Sequence, residues 1–334
     1  VFGNATFRAV HLWRLDDLNV TQGYLGYTRP RTPAALVLLD QIEEDLVLRI
    51  LPALSEGEPM MLVDEETYRQ RLPWELELRD GTAKAIRRYL KVAFPKTPAG
   101  IARVAELLAQ RRRLVEKWTA DIAHFRLPRR LIPESNYAAE LKHVAYSADR
   151  RAWDEIHEEL QTPELLAAFE AFRWNYVVAV ERHEVQHRID YQHEFREYPE
   201  ILAAALDVEN LSDVAPTSFP ARVQIELSAH LAEIAQAPHS PTMNFLLFAR
   251  HLFASRGPYT AAARIALPLI GEELGISLDP QLRGFERGAR LVLDIAERDE
   301  AIRGAVNRAY SRIYGEPIPV TRVTRDVVNT KWRH

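Results

Sequence analysis

The chain has 334 residues, of which 47% are hydrophobic and 27% charged, as in a soluble globular protein with a sizeable core. Lys and Arg number 43 and Asp and Glu 47, and this net charge of −4 gives no general attraction to nucleic acid. Cysteine is absent, which excludes disulfides and thiolate chemistry, so any metal ion must be bound by histidine and carboxylate side chains. No apolar stretch reaches the roughly 18–20 residues of a membrane-spanning helix. The chain begins at Val1, which is compatible with a cytoplasmic protein and with an exported one whose signal peptide has been removed.

Helical periodicity dominates the first part of the chain. Helices are predicted, in chain order, over 32–54, 82–92 and 97–123. The first of these opens with Thr32 as a possible N-cap and Pro33 in its first turn. Two short segments, 59–63 and 74–78, are predicted as strands, and Asp80-Gly81 as the turn after the second.

The sequence Arg-Leu-Pro-Arg-Arg-Leu-Ile-Pro at 126–133 is predicted to separate two parts of the chain, because it combines two prolines with a change in charge. Residues 1–130 would form a helical or mixed subdomain that is one wall of a cleft, and residues 131–334 a helical subdomain that carries the site. Helices in the second part are predicted over 136–147, 150–160, 163–197, 220–236, 241–255, 258–274 and 285–312. The tail at 318–328 alternates weakly and is predicted to be extended, which gives a mainly α fold with a small sheet.

The segment His183-Glu184-Val185-Gln186-His187 contains the residues best suited to chemistry. It lies within a predicted helix, where residues four apart share a face, so the two imidazoles can bind one Zn²⁺ ion. Glu184 is rotated by about 100° from His183, which places its carboxylate beside the metal. There it can act as a general base towards zinc-activated water.

This His-Glu-x-x-His segment resembles the motif of the zincin metallopeptidases. The resemblance covers the motif helix and one further helix, not the whole chain. It implies a zincin-like fold, a catalytic Zn²⁺ ion and hydrolysis of amide bonds in a peptide or protein substrate. A zincin site also needs a third protein ligand, for which the sequence offers two candidates.

The first candidate for the third ligand is Glu226, in a predicted helix whose residues Glu226, Ala229, His230 and Glu233 share one face. In the gluzincin branch of the zincins, a downstream helix supplies a glutamate ligand that is often followed three positions later by a small residue. Glu226 with Ala229 is similar to that pattern. The resemblance to the gluzincins therefore implies that His183, His187 and Glu226 bind the zinc ion.

Asp190 and His230 are expected to support this site. Asp190 lies on the ligand face, where its carboxylate can accept the free N–H of a ligand imidazole; an ion pair with Arg182 or Arg188 is the alternative. His230 lies one turn after Glu226 and is predicted to be a catalytic group that stabilises the oxyanion. Further candidates for the oxyanion role are Tyr259, His239 and His251.

The second candidate for the third ligand is His193, whose spacing from the two motif histidines is that of the metzincin branch. Metzincins place glycine where this chain has Asp190, and that glycine ends the helix with a sharp turn that returns the third histidine to the metal. If the helix continues, His193 points about 80° away from His183 and cannot bind the same ion. We therefore expect Glu226 to be the ligand.

Two alternatives of a different class remain open. Glu184 and His187 form the E-x-x-H pair that helical di-iron carboxylate proteins use on two helices, but Glu226 and His230 are spaced E-x-x-x-H and do not supply the second pair. The other alternative is a non-catalytic protein that keeps a zincin scaffold for binding or assembly.

Overall fold

The computed structural model describes residues 6–13, 25–31, 33–56, 73–119, 128–133, 147–192, 198–209, 214–215, 217–253, 257–320 and 322–328. The fold is mainly helical with a small four-stranded sheet, which confirms the predicted fold class. The strand predicted at 59–63 and nearly all of the helix predicted at 136–147 lie outside the described residues. Within these residues, no helix is long and apolar enough to cross a membrane.

The sheet joins the two ends of the described chain. Its strands are β1 (Thr6–Leu12), β2 (Gly26–Tyr27), β3 (Ala35–Leu38) and β4 (Arg322–Val328), in the order β2-β3-β1-β4. Strand β1 is parallel to both β3 and β4, with Ala9 opposite Ala35 on one side and Arg325 on the other. Strand β2 is antiparallel to β3. Strand β4 confirms the predicted extended tail.

The helix predicted over 32–54 begins later than expected, because its first residues form β3. The run Ala-Leu-Val-Leu is short and apolar, so periodicity alone cannot distinguish a buried strand from a helix there, and pairing with β1 favours the strand. Helix α1 (Leu39–Asp45) follows directly. A π-helical segment (Leu46–Ile50) and helix α2 (Leu51–Glu56) complete this helical stretch.

Helix α3 spans Pro73–Ala93, so the predicted strand at 74–78 and the predicted turn at Asp80-Gly81 are both wrong. The segment Trp-Glu-Leu-Glu-Leu alternates like a strand, but the residues that follow favour a helix. Buried residues of α3 recur at helical spacing: Leu78, Thr82, Ala85, Ile86 and Tyr89. Gly81 lies inside the helix at a close approach, since a Cβ there would lie 2.4 Å from Leu293 Cδ2.

The remaining helices follow the predicted ones within a few residues over most of their length. They are α4 (Pro98–Thr119), α5 (Ser147–Leu160), α6 (Pro163–Gln192), α7 (Glu200–Ala205), α8 (Phe219–Ala235), α9 (Thr242–Ala249) with a 3-10 turn (Arg250–Phe253), α10 (Pro258–Glu273), α11 (Gly284–Ala296) and α12 (Asp299–Tyr314). Of these, α7 was not predicted, and α11 and α12 replace the single helix predicted over 285–312. The hydroxyls of Ser240 and Thr242 donate hydrogen bonds to Asp299 and hold the start of α12.

Helix α6 lies between the sheet and the other helices. On one side, Val185 and Ile189 of α6 pack with Phe7 and Ala35 of the sheet in a small apolar cluster. On the other side, α6 packs against α8, and both contribute to a large core that includes residues on both sides of the segment 126–133. The motif histidines are therefore carried by a helix that is packed on two sides.

Candidate metal centre

Helices α6 and α8 together carry the candidate site. His183, Glu184 and His187 lie on α6, and the facing residues of α8 are Glu226, His230 and Glu233. Helix α8 begins where Ser218 caps its first turn, with its hydroxyl accepting a hydrogen bond from the Ala221 amide. Its apolar residues Leu227, Leu231 and Ile234 are fully buried, which leaves the polar residues of the next face directed at α6.

The structure brings the three predicted zinc ligands together. Glu226 Oε2 lies 3.5 Å from His183 Nε2 and 3.7 Å from His187 Nε2. The ligand atoms of a tetrahedral zinc site, each about 2.0–2.2 Å from the metal, are separated by about 3.3–3.5 Å. The two distances from the Glu226 oxygen are therefore close to the separation between two ligands of one bound ion.

Several buried polar atoms around this point have no hydrogen-bond partner among the described residues. They are Glu184 Oε2, His187 Nδ1, Glu226 Oε2 and His230 Nε2. Buried polar atoms are nearly always hydrogen-bonded, and a charged oxygen is the costliest to leave alone. A cation bound between the two motif histidines and Glu226 would satisfy the Glu226 oxygen, so the residues present fit a metal ion.

Glu233 is a site residue whose role was not predicted from the sequence. Its Oε2 atom lies 3.2 Å from Nδ1 of His183 and 3.2 Å from Nδ1 of His230. Because an ionised carboxylate can only accept, both imidazoles donate their Nδ1–H groups to it. Nε2 of His183 is thereby the ring nitrogen that faces Glu226, and it can bind a metal ion once its own proton has left.

At His183, Glu233 thus has the role that the sequence predicts for Asp190, which is to accept the free N–H of a ligand imidazole. Asp190 Oδ1 instead accepts hydrogen bonds from Gln186 Nε2 at 3.0 Å and from Ser228 Oγ at 3.1 Å. Glu233 lies seven residues after Glu226 on the same helix face, so its position at the site is visible in the sequence. Helical periodicity places both Glu233 and Asp190 near the histidines. How closely α6 and α8 pack decides which of the two orients His183, and periodicity does not determine that packing.

Two groups of three His and Glu residues within the described part of the chain have potential ligand atoms within 4.8 Å of one another. One is His183, Glu184 and His187, and the other is His183, His230 and Glu233. The groups share His183, whose two ring nitrogens face opposite sides. Since Nδ1 is hydrogen-bonded to Glu233, we interpret the second group as support for His183 and not as a separate metal site.

The charges at the site are arranged around His183. Burial acts to lower the pKa of His183, but Glu226 and Glu233 together outweigh it and raise the pKa to about 10. Burial acts to raise the pKa of both glutamates, yet the neighbouring histidines lower each to about 2. His183 is thus protonated between two carboxylates, a place where a divalent cation that displaced the Nε2 proton would also be favoured.

Glu184 and His187 are shifted mainly by burial. Glu184 is 6% exposed, and burial raises its pKa to about 7. Burial and the nearby charge of His183 lower the pKa of His187 to about 3, so His187 is neutral and available as a ligand. The two motif residues are therefore in the states that metal binding and proton transfer require near neutral pH.

The predicted oxyanion candidates divide into two sets. His230 lies near His251 and Tyr259, with ring centroids 5.7 and 5.9 Å away, whereas the ring of His239 packs on Phe94. Burial lowers the pKa of His230, which is therefore neutral, and its single proton is on Nδ1 towards Glu233. The buried Nε2 atom is then an acceptor, which does not suit the donor role predicted for His230.

Tyr191 is a second residue that we did not predict at the site. It lies one turn after His187, with the two ring centroids 6.3 Å apart. Burial, followed by the charges of Glu226 and Glu184, raises the pKa of Tyr191, so its hydroxyl stays protonated. The signal in the sequence is its position four residues after His187 and seven after Glu184, which puts it on the same helix face.

The alternative ligand His193 lies outside the described residues. Helix α6 continues through Asp190 to Gln192, so the sharp turn that a metzincin site needs at position 190 is not formed. This favours the expected choice of Glu226 as third ligand.

Comparisons of the chain with models of known protein families, with curated protein sequences and with solved structures give no match. The resemblance to the zincins therefore rests on the motif segment and on the residues that α8 places around it.

Proposed function

We propose that this protein is a zinc-dependent metallopeptidase in which His183, His187 and Glu226 bind the metal ion. The observation that supports this most is Glu226 Oε2, which is buried without a hydrogen-bond partner among the described residues and faces Nε2 of both motif histidines at 3.5 and 3.7 Å. Two imidazoles and one carboxylate form a ligand set typical of catalytic zinc, with the fourth position open for water or substrate.

Glu184 would serve as the general base in amide hydrolysis. When bound, the zinc ion supplies Lewis acidity towards water and the substrate carbonyl. Glu184 takes the proton from the attacking water and returns it to the leaving amine. Its pKa, raised by burial to about 7, suits both transfers near neutral pH. Glu233 keeps His183 in the tautomer that presents Nε2, and the Tyr191 hydroxyl is available to donate to the developing oxyanion.

The test combines metal analysis with a single substitution. We expect one zinc ion per chain and cleavage of a mixed peptide library that stops when zinc is removed and returns when it is restored. Glu184→Gln should bind zinc as tightly as the wild type but lower kcat by about 10²–10⁴-fold, since it removes the proton acceptor.

Other outcomes decide against the proposal. Equal peptide cleavage by the wild type and Glu184→Gln would exclude Glu184 as the base, and two irons per chain would favour a di-iron carboxylate protein. A stable zinc site without cleavage of any peptide would favour the non-catalytic scaffold.

A further inference from the structure

A short segment crosses helix α6 at the general base. We call residues 25–30 the strap; it contains β2 and is tied to both of its neighbours. On the sheet side, the Leu25 carbonyl accepts a hydrogen bond from the Leu38 amide at 2.9 Å. On the helix side, Thr28 Oγ1 donates to the Glu184 carbonyl at 3.2 Å, and Arg188 donates to the carbonyls of Arg29 and Pro30 at 3.2 and 3.1 Å.

Gly26 is the point of closest approach between the strap and α6. A Cβ atom at this position would lie 2.4 Å from Cγ, 2.6 Å from Oε1 and 2.7 Å from Cδ of Glu184. Carbon atoms at van der Waals contact are about 3.5–4.0 Å apart, so the Glu184 side chain already fills the space that any other residue would need. Gly26 does not have a positive φ, so the requirement for glycine is steric.

The same contact limits where the Glu184 carboxylate can go. Glutamate has three rotatable side-chain bonds, and an exposed one samples many rotamers. Here the side chain is 6% exposed and lies against the strap, with a carboxylate oxygen within 4.8 Å of a ring nitrogen of each motif histidine. The backbone of the strap therefore does what a neighbouring side chain would otherwise do. It keeps the Glu184 carboxylate beside the two motif histidines.

We propose that Gly26 is a positioning residue for Glu184: its missing side chain lets the strap hold the carboxylate beside the metal ligands. This inference rests on the proposed hydrolysis and adds to it a structural requirement outside the motif. A displacement of about 1 Å in a catalytic group can lower the rate by about 10²-fold, so a single added methyl group is enough to test it.

The experiment is a double-substitution cycle on the full-length, zinc-loaded protein. Gly26→Ala is made in the wild type and in a Glu184→Ala background, where the atoms that the new methyl group would meet are removed. Thermal melting and zinc content are measured for all variants, and kcat and KM for those that keep Glu184. Gly81→Ala is the matched control, because its Cβ would also lie 2.4 Å from a side-chain carbon, Cδ2 of Leu293, away from the site.

We expect Gly26→Ala to lower kcat by about 10–100-fold while KM and zinc content stay unchanged. Its Tm should fall in the wild type but not in the Glu184→Ala background. Gly81→Ala should leave kcat unchanged and shift Tm equally in both backgrounds.

Two results would overturn the inference. One is a fall in Tm after Gly26→Ala that is equal in both backgrounds, which would mean that the strap is damaged independently of Glu184. The other is a Gly26→Ala variant with wild-type kcat and Tm. If the wild type cleaves no peptide, the proposed function fails, and the difference in Tm between the two backgrounds still decides whether Gly26 positions Glu184.

Discussion

Two carboxylates, Glu181 and Glu226, meet histidines around helix α6, and their surroundings differ. Glu181 lies 2.8 Å from His11 Nε2 and accepts three further contacts of 2.8–3.0 Å from the guanidinium of Arg325. Burial acts to raise the pKa of Glu181, but His11 and Arg325 outweigh it and lower the pKa. This carboxylate is fully satisfied by the protein, and it ties β1 and β4 to α6.

Glu226, on the neighbouring helix, faces two histidines at longer distances and with one oxygen unsatisfied among the described residues. The composition of the two clusters is similar, since each combines a carboxylate with imidazole. They differ in whether hydrogen-bond donors satisfy both oxygens of the carboxylate: they do so at Glu181, the closed cluster, and not at Glu226 among the described residues. A closed cluster supports the fold, whereas a cluster with an unsatisfied carboxylate oxygen leaves a place where a cation could bind.

The largest expected difference is in metal binding. If Glu226 binds zinc as proposed, Glu226→Ala removes a direct ligand and should weaken zinc binding by more than about 100-fold, above the range seen when only an orienting partner of a ligand is lost. Zinc affinity is measured by competition with a chromophoric chelator. Wild-type affinity in Glu226→Ala would show that the ion, if bound, uses other ligands, and His230 with Glu233 would be the first to examine.

Glu181→Gln should lower the stability of the fold and leave zinc binding unchanged. Breaking a buried ion pair costs about 3–5 kcal/mol, and we expect about 3 kcal/mol because Arg325 is 41% exposed and can turn to water. The measurement is urea unfolding of the zinc-loaded protein, with chelator competition alongside it. Zinc affinity should be unchanged within twofold or so, and a large loss would mean that the two clusters are coupled through α6.

The third expected effect separates the two carboxylates that compete for the orienting role. Glu233→Gln should weaken zinc binding by about 10–100-fold, since it replaces the charged acceptor that fixes His183 with a neutral amide. Asp190→Asn is the matched control, because Asp190 Oδ1 is bonded to Gln186 and Ser228. If Asp190→Asn weakens zinc binding as much as Glu233→Gln, our original prediction for Asp190 regains its support.

Much of the site could be predicted from the sequence because it depends on local periodicity. A helix places His183 and His187 on one face, and the same rule applied to 220–236 places Glu226 and Glu233 together. The depth to which α6 and α8 pack determines which carboxylate faces which nitrogen. That depth results from tertiary packing, so the role of Glu233 was not predicted.

Contacts between distant segments were the least predictable. The contact of Gly26 with Glu184 leaves no local pattern in the sequence, and neither do the contacts of His11 and Arg325 with Glu181. Each of these contacts joins a strand to α6 from far along the chain. Two short segments were also predicted wrongly for want of distant contacts. Residues 35–38 were predicted as helix and form a strand, and residues 74–78 were predicted as a strand and form part of a helix. In both, the partner element decides the outcome for a short apolar or alternating run.

The last prediction is that His193→Ala has no effect on the site. It tests whether Glu226 and not His193 completes the ligand set. Helix α6 keeps its helical hydrogen bonds through Asp190 to Gln192, so the chain does not turn back towards the metal site where a metzincin would. His193→Ala should therefore leave zinc affinity and kcat at wild-type values, next to the large loss in Glu226→Ala. Loss of zinc in His193→Ala with retention in Glu226→Ala would reverse the assignment. The incomplete cluster at Glu226 would then be, like that at Glu181, a structural one.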